Sequence, residues 1–373
     1  MSVVHGHCDP RFADVAAALA EEVDSGAELG ASIAVDIDGD LVVDIWAGHA
    51  DAARTVEWSQ NTIVNFWSCT KTLTALAALM VVDRGLLDPF APVAQYWPEF
   101  AANGKHRVQV RHLLAHTSGV SGWDPPFTSE DIYDWEKSTA HLARQAPWWP
   151  PGSASGYHAV TYGHLVGELL RRVTGITLKD FVHREIAEPV HADVQIGARA
   201  GDEHRIAELV PPPPARTLRD ARTGDHLRRR TFAAFPPDAA SVAVAHSAAW
   251  RGADIGASNG HGNARSLVRA LSPITRGGSV NGVRLLSQDT IDLIFQEQSN
   301  GIDLVLGAPV RFGIGFALTE GRGCFWGGWG GSLIAMHPRR RTTFAYVMNK
   351  MGDGTLGSRR TARYAQLVRE AAR

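Results

Sequence analysis

Between Leu73 and Val82 this 373-residue chain reads LTALAALMVV, an apolar run broken only by Thr74. A helix of that composition is apolar on every side and has to lie inside a large core. The same helix opens with Ser68, Cys69, Thr70 and Lys71, and Gly85 closes it. It therefore carries an ammonium into a place where burial is costly unless the charge is paired or the proton is given up.

The bulk numbers leave room for such a core. Charged residues make up 20% and apolar residues 45%, within the range of soluble globular proteins. The length suits about two domains. With a net charge of −2, neither nucleic acid nor an anionic membrane is expected as a partner. The basic stretch Arg228 to Arg230 sits near Asp220 and Asp225 and reads as a solvated face.

No signal-like segment opens the sequence, and no apolar run reaches the ~18 residues of a membrane span. Cys8, Cys69 and Cys324 form no CxxC pair. A reduced, cytoplasmic protein without disulfides, metal or cofactor is expected, and a homo-oligomer stays open. His112 and His116 are four apart on an expected helix, but no acidic residue completes a zinc pattern, so they are read as surface or helix-capping residues.

Residues 11–23 read as an amphipathic helix. Two β-rich runs then flank Asp38-Gly39-Asp40, a hairpin turn rather than a calcium loop. A second hairpin surrounds Arg339 to Arg341, followed by a helix over 358–371. Between these ends the pattern is mostly helical: the Ser68 helix and residues 110–115, 138–144, 162–173, 178–185, 264–271 and 290–296. This predicts an α+β fold, with an antiparallel sheet assembled from both chain termini and flanked by helices. Residues 1–67 and 305–373 would form the sheet domain, and 68–304 the mostly helical one. Residues 210–232, which start VPPPP, are expected to be a long surface loop.

Positions i and i+3 are neighbours on a helix, so Ser68 and Lys71 share one face at its start. The helix N-terminus favours a developing oxyanion. A lysine held against apolar packing is pushed toward its neutral form and becomes a plausible base. Alone, an SxxK tetrapeptide also fits a serine cap beside a snorkelling lysine.

Two further stretches bear on that choice. WWPPGSASGYHAVTYGHLVGELLRRVTG sets Tyr157 before an amphipathic helix, and FWGGWGGSLIAMHP sets a glycine-rich segment before a strand. With the SxxK helix, these stretches resemble the serine β-lactamase and penicillin-binding-protein superfamily, most closely its class C-like carboxylesterases, the family VIII esterases. VRHLLAHTSGV and SNGHGNARSLVRAL fit the same resemblance, which runs from about Ile33 to Asn349.

The resemblance implies a β-lactamase-like fold, Ser68 as nucleophile, Lys71 as its base, and Tyr157 as base or acid. Trp326-Gly327-Gly328 would replace the lysine-threonine-glycine triplet of the β-lactamases. The amides of Ser68 and Trp329 would form the oxyanion hole. A charged Lys71 would lower the Tyr157 phenol, and which of the two takes the serine proton stays open.

The pattern also departs from the family. Tyr157-His158-Ala159 lacks the usual asparagine two residues after the tyrosine. Trp326 stands where a cation would hold a substrate carboxylate, so a small uncharged ester is the expected substrate unless Arg311 or Arg322 supplies a charge. Trp67, Trp123, Trp148, Trp149 and Trp329 are candidates for an apolar acyl pocket, with at least two expected to pack in the core. A D-amino-acid peptidase or amidase, a β-lactamase-like hydrolase or an acyltransferase would use the same acyl-enzyme. A rival nucleophile, Ser258 in Gly256-Ala257-Ser258-Asn259-Gly260, matches the GxSxG pattern but has no good buried strand before it.

Overall fold

A computed structural model of the chain describes residues 2–212 and 226–372. Its main sheet has nine strands in the order His5–Cys8, Asp40–Gly48, Gly30–Ile37, Thr342–Met348, Leu333–His337, Gly323–Gly327, Ala317–Thr319, Pro309–Phe312 and Ser299–Ile302. All neighbours pair antiparallel.

The two expected hairpins form its centre. Asp38 and Gly39 take φ of +54° and +102°, the mirror-image turn that matches strand twist. Arg341, at φ +49°, ends the short 3₁₀ turn that closes the other hairpin. Thr342–Met348 pairs with Gly30–Ile37 along its whole length and so joins the two ends of the chain.

Side chains alternate across the sheet. Phe325, Ala335, Phe344 and Val35 are in register on one face. Tyr346, on that same face, meets Tyr364 of the C-terminal helix Arg359–Ala371 at 5.0 Å between ring centres. On the other face Trp326, Ile334, Ala345, Ala34 and Asp44 line up. There Asp44 pairs with Arg265 of the helix Ala264–Leu271 at 2.7 Å.

The apolar run forms the helix Thr70–Asp83, with every residue from Thr70 to Val81 buried. It packs against the helix Thr161–Thr174. Among the described residues no helix is long and apolar enough to cross a membrane.

Several elements differ from the sequence reading. The sheet takes its edge strand Ser299–Ile302 from residues before 305, and His5–Cys8 adds an unexpected strand at the opposite edge. The helix expected over 178–185 is α-helical only at Leu178–Phe181 and continues as a π-turn over Val182–Ala187. Of the expected loop, residues 213–225, with Asp220 and Asp225, lie outside the described residues, while His226–Thr231 is a short helix. Two more short helices, Ala239–Val244 and Ala248–Gly252, follow it. Each is capped by an Asp or Ser side chain that accepts a backbone N–H, Asp238 from Ser241 and Ser247 from Trp250.

Candidate active site

Ser68 sits in a 3₁₀ turn, Trp67–Cys69, that runs directly into the central helix. Trp67 ahead of it has φ +49°, a left-handed conformation that costs a bulky residue about 1–3 kcal/mol. Three hydrogen bonds hold it there. The Trp67 amide donates to Asn65 Oδ1 (2.8 Å), the Thr70 hydroxyl donates to the Trp67 carbonyl (2.5 Å), and the Gly260 amide donates to Thr70 Oγ1 (2.8 Å). Asn65 and Gly260 come from a small sheet of Val64–Asn65, Gly260–Gly262 and Val194–Ile196. The surrounding structure thus fixes the strained turn and aims Ser68 off the helix N-terminus.

Lys71 is 2% exposed, and its burial holds the amine well below the usual lysine range. No carboxylate pairs with it among the described residues. Its Nζ lies 2.7 Å from the Ala159 carbonyl, 2.8 Å from the Ala257 carbonyl and 3.3 Å from Ser68 Oγ. Carbonyl oxygens only accept, so they take two N–H bonds. A neutral amine then has its lone pair left for the Ser68 hydroxyl proton.

The Tyr157 hydroxyl donates to Ser68 Oγ at 2.6 Å. Burial pushes this phenol up, opposite to the lowering expected from a charged Lys71. The reason is that Lys71 is itself driven toward the neutral form and supplies little charge. Ser68 therefore stands between an acceptor and a donor. The Tyr157 amide donates to Asp303 Oδ1 (3.0 Å), which also accepts from the amides of Val305 and Leu306. Asp303 is fully buried and was not singled out in the sequence, because nothing local in IDLVLG marks a long-range acceptor.

His158 and Ala159 account for the missing asparagine. His158 Nδ1–H donates to the Gly156 carbonyl (2.7 Å), and its Nε2 is 2.6 Å from Ser118 Oγ. Burial lowers this imidazole to about 3, so it stays neutral. Ala159 contributes its backbone carbonyl to Lys71 in place of a side chain. His112 caps its own helix by accepting the Gln109 amide, and His116 Nδ1 accepts the His158 amide (3.1 Å) inside the core.

The glycine-rich segment divides at the end of its strand. Trp326 is the strand's inward residue and packs behind Tyr157, with ring centres 5.3 Å apart, and it does not line the cavity at Ser68. Gly327 and Gly328 do not line the cavity either; they allow close packing. A Cβ on Gly328 would lie 2.4 Å from the Phe66 carbonyl, and one on Gly327 2.6 Å from the Leu356 backbone. The Cys69 thiol donates to the Trp326 carbonyl (3.6 Å), tying the strand to the Ser68 turn. Trp329, past the strand end, does reach the cavity.

That cavity, about 50 Å³, is lined by Ser68, Tyr157, Trp67, Trp329, Phe235 and Arg228, among others. The Trp67 and Trp329 rings meet at 5.0 Å. Among the described residues, neither the Ser68 nor the Trp329 amide has a hydrogen-bond partner.

The other tryptophans are structural. Trp123, expected at the substrate, instead stacks on Phe127 at 4.5 Å and donates to the Ser138 carbonyl, away from the cavity. Trp148 donates to Asp124 and Trp149 to the Ala154 carbonyl. Ser258 also lines the cavity, but its turn follows the helix Ala248–Gly252 and precedes the strand, so it lacks the strand-to-helix elbow.

Comparison with known proteins places the fold in a family. The Beta-lactamase family matches residues 15–369. The esterase/beta-lactamase LipL of Mycobacterium tuberculosis is 34% identical over 361 residues, 93% of this chain and 83% of that protein. The crystal structure of a family VIII carboxylesterase superposes with a TM-score of 0.92 at 35% identity, covering 99% of this chain and 100% of that one. A penicillin-binding-protein homologue from Caulobacter crescentus superposes at 0.90 with 34% identity and the same coverage. With its fold and nearly its whole length shared, the chain belongs to the Beta-lactamase family.

Proposed function

We propose that this protein is a serine carboxylesterase that works through an acyl-enzyme on Ser68. The observation that carries this reading is the position of Ser68 Oγ, 2.6 Å from the Tyr157 hydroxyl and 3.3 Å from Lys71 Nζ. The esterase names of its relatives support the reaction class.

The steps follow from a neutral Lys71 amine and a donating Tyr157 hydroxyl on either side of Ser68. Ser68 gives its proton to the neutral Lys71 amine as its oxygen attacks the ester carbonyl carbon. The oxyanion is taken up by the Ser68 and Trp329 amides at the helix N-terminus. When the C–O bond breaks, Tyr157 protonates the departing alkoxide and recovers a proton from Lys71. The serine proton has then reached the alcohol. Water attacks the acyl-enzyme next, its proton passes to the same pair, and Ser68 leaves with it as the acid departs.

A raised phenol pKa suits a donor at this point, because the proton stays on Tyr157 until an alkoxide calls for it. The small apolar cavity favours short acyl groups, since ~10–15 Å³ already holds a water.

The reading is tested with a panel of p-nitrophenyl esters, an anilide and a chromogenic cephalosporin. Short esters should be the best substrates, and Ser68→Ala should remove their turnover. A preference for the anilide or the cephalosporin would move the assignment to an amidase or a β-lactamase.

A further inference from the structure

We propose that Arg228 binds a carboxylate carried by the substrate, so that the site selects short esters whose acyl part ends in an anionic group. This rests on the Ser68 acyl-enzyme reading and names the substrate class of that site.

The cavity is otherwise poor in charge. Its walls are largely aromatic, with Trp67, Phe232, Phe235 and Trp329, and among the described residues no acidic one lines it. Arg228 borders it from the short helix His226–Thr231. Among the described residues its guanidinium meets only the Val305 carbonyl, at a long 3.4 Å, and the Phe232 ring, whose centre is 5.6 Å away.

Three other arginines are already neutralised. Arg230 pairs with Asp124, Arg311 with Glu297 and Arg322 with Asp292, and none of the three lines the cavity. Among the described residues, most of the five donors of Arg228 thus have no partner at the edge of an apolar space. A carboxylate is the group whose geometry matches that planar fork. The cavity is only about 50 Å³, which places such a carboxylate a few bonds from the ester carbonyl. The chemistry that fits is the half-ester of a short dicarboxylic acid.

Methyl butyrate and monomethyl succinate have acyl chains of equal length and differ in a terminal methyl or carboxylate. Their hydrolysis can be followed by pH-stat. In the unaltered protein kcat/KM should favour the succinate half-ester by about tenfold or more, the scale of one charge-assisted contact. In Arg228→Gln the charged-to-neutral ratio should fall by about tenfold or more, and Arg228→Lys should recover part of it. A smaller fall overturns the proposal.

A second measurement needs no variant. Raising the salt concentration should raise KM for the half-ester more than for methyl butyrate, and an equal response counts against Arg228. Ser68→Ala separates the two levels of the argument. If it abolishes turnover of both esters while the ratio ignores Arg228, only the carboxylate site fails. If turnover survives Ser68→Ala, the acyl-enzyme reading itself has failed.

Discussion

The Tyr157 amide donates to Asp303 Oδ1 at 3.0 Å, so a residue 146 positions away sets the place from which the phenol reaches Ser68. The same oxygen accepts two further amides, from Val305 and Leu306, each at 2.9 Å. Asp303→Ala should destabilise the fold by about 2 kcal/mol or more, the cost of stranding buried amides. It should also lower kcat by about tenfold or more while changing KM less, because the phenol loses its aim. Asp303→Asn, which keeps an acceptor, should recover most of the rate. Kinetics and thermal melts of the two variants check this; equal damage from both would leave Asp303 without a positioning role.

Lys71 and Tyr157 contact one oxygen from two sides, and the proposed mechanism puts both on a single proton path. Lys71→Ala and Tyr157→Phe should each lower kcat by about 10²-fold or more. The double variant should be little worse than the poorer single one. Effects that multiply in full would mean that the two side chains act independently.

Burial of Lys71 also sets a pH dependence. Its folded-state pKa lies well below 10.5. The proposed mechanism needs the neutral amine, so kcat/KM should fall on the acid side as Lys71 takes up a proton and level off above that point. The stability effect has the matching sign. Between the depressed folded value and 10.5 the unfolded chain holds a proton that the folded chain has released, so stability rises with pH across that window. The slope is at most about 1.4 kcal/mol per pH unit for one group. Lys71→Met removes this contribution, so its Tm relative to the unaltered protein should be highest at low pH and decline as pH rises. A difference in Tm that does not vary with pH would show that Lys71 titrates alike in both states.

Trp123 and Trp329 provide a paired test of which aromatics touch substrate. Trp329→Ala opens the wall of the cavity and should raise KM for short esters. Trp123→Phe keeps the stack on Phe127 but loses the bond to the Ser138 carbonyl, at a cost of about 1–3 kcal/mol in stability with kinetics unchanged. The reverse pattern would restore the sequence-based expectation for Trp123.

These cases also mark what the sequence makes legible. Helical spacing puts Ser68 and Lys71 on one face whatever the surroundings, and Asp38-Gly39 declares its own turn. The termini had to meet because each carries a hairpin with a face to cover. By contrast, the roles of Trp326 and Trp329 depend on where a strand ends. Gly323–Gly327 includes Trp326, and its register points the indole behind Tyr157. A three-residue difference in position decides between core and cavity, and spacing alone does not reveal the strand end. Arg228 was hidden for a similar reason: within an arginine run in a proline-led loop nothing distinguishes the residue that turns inward. The left-handed Trp67 is held by Asn65 and Thr70, a constraint that becomes visible only once the small sheet forms.

The identity of the nucleophile is the claim on which the rest depends. The direct measurement is mass spectrometry of the protein after reaction with a fluorophosphonate, followed by peptide mapping. The account predicts one covalent adduct on the peptide carrying Ser68, absent in Ser68→Ala and slowed in Lys71→Ala. An adduct on Ser258, or labelling that persists in Ser68→Ala, would contradict it.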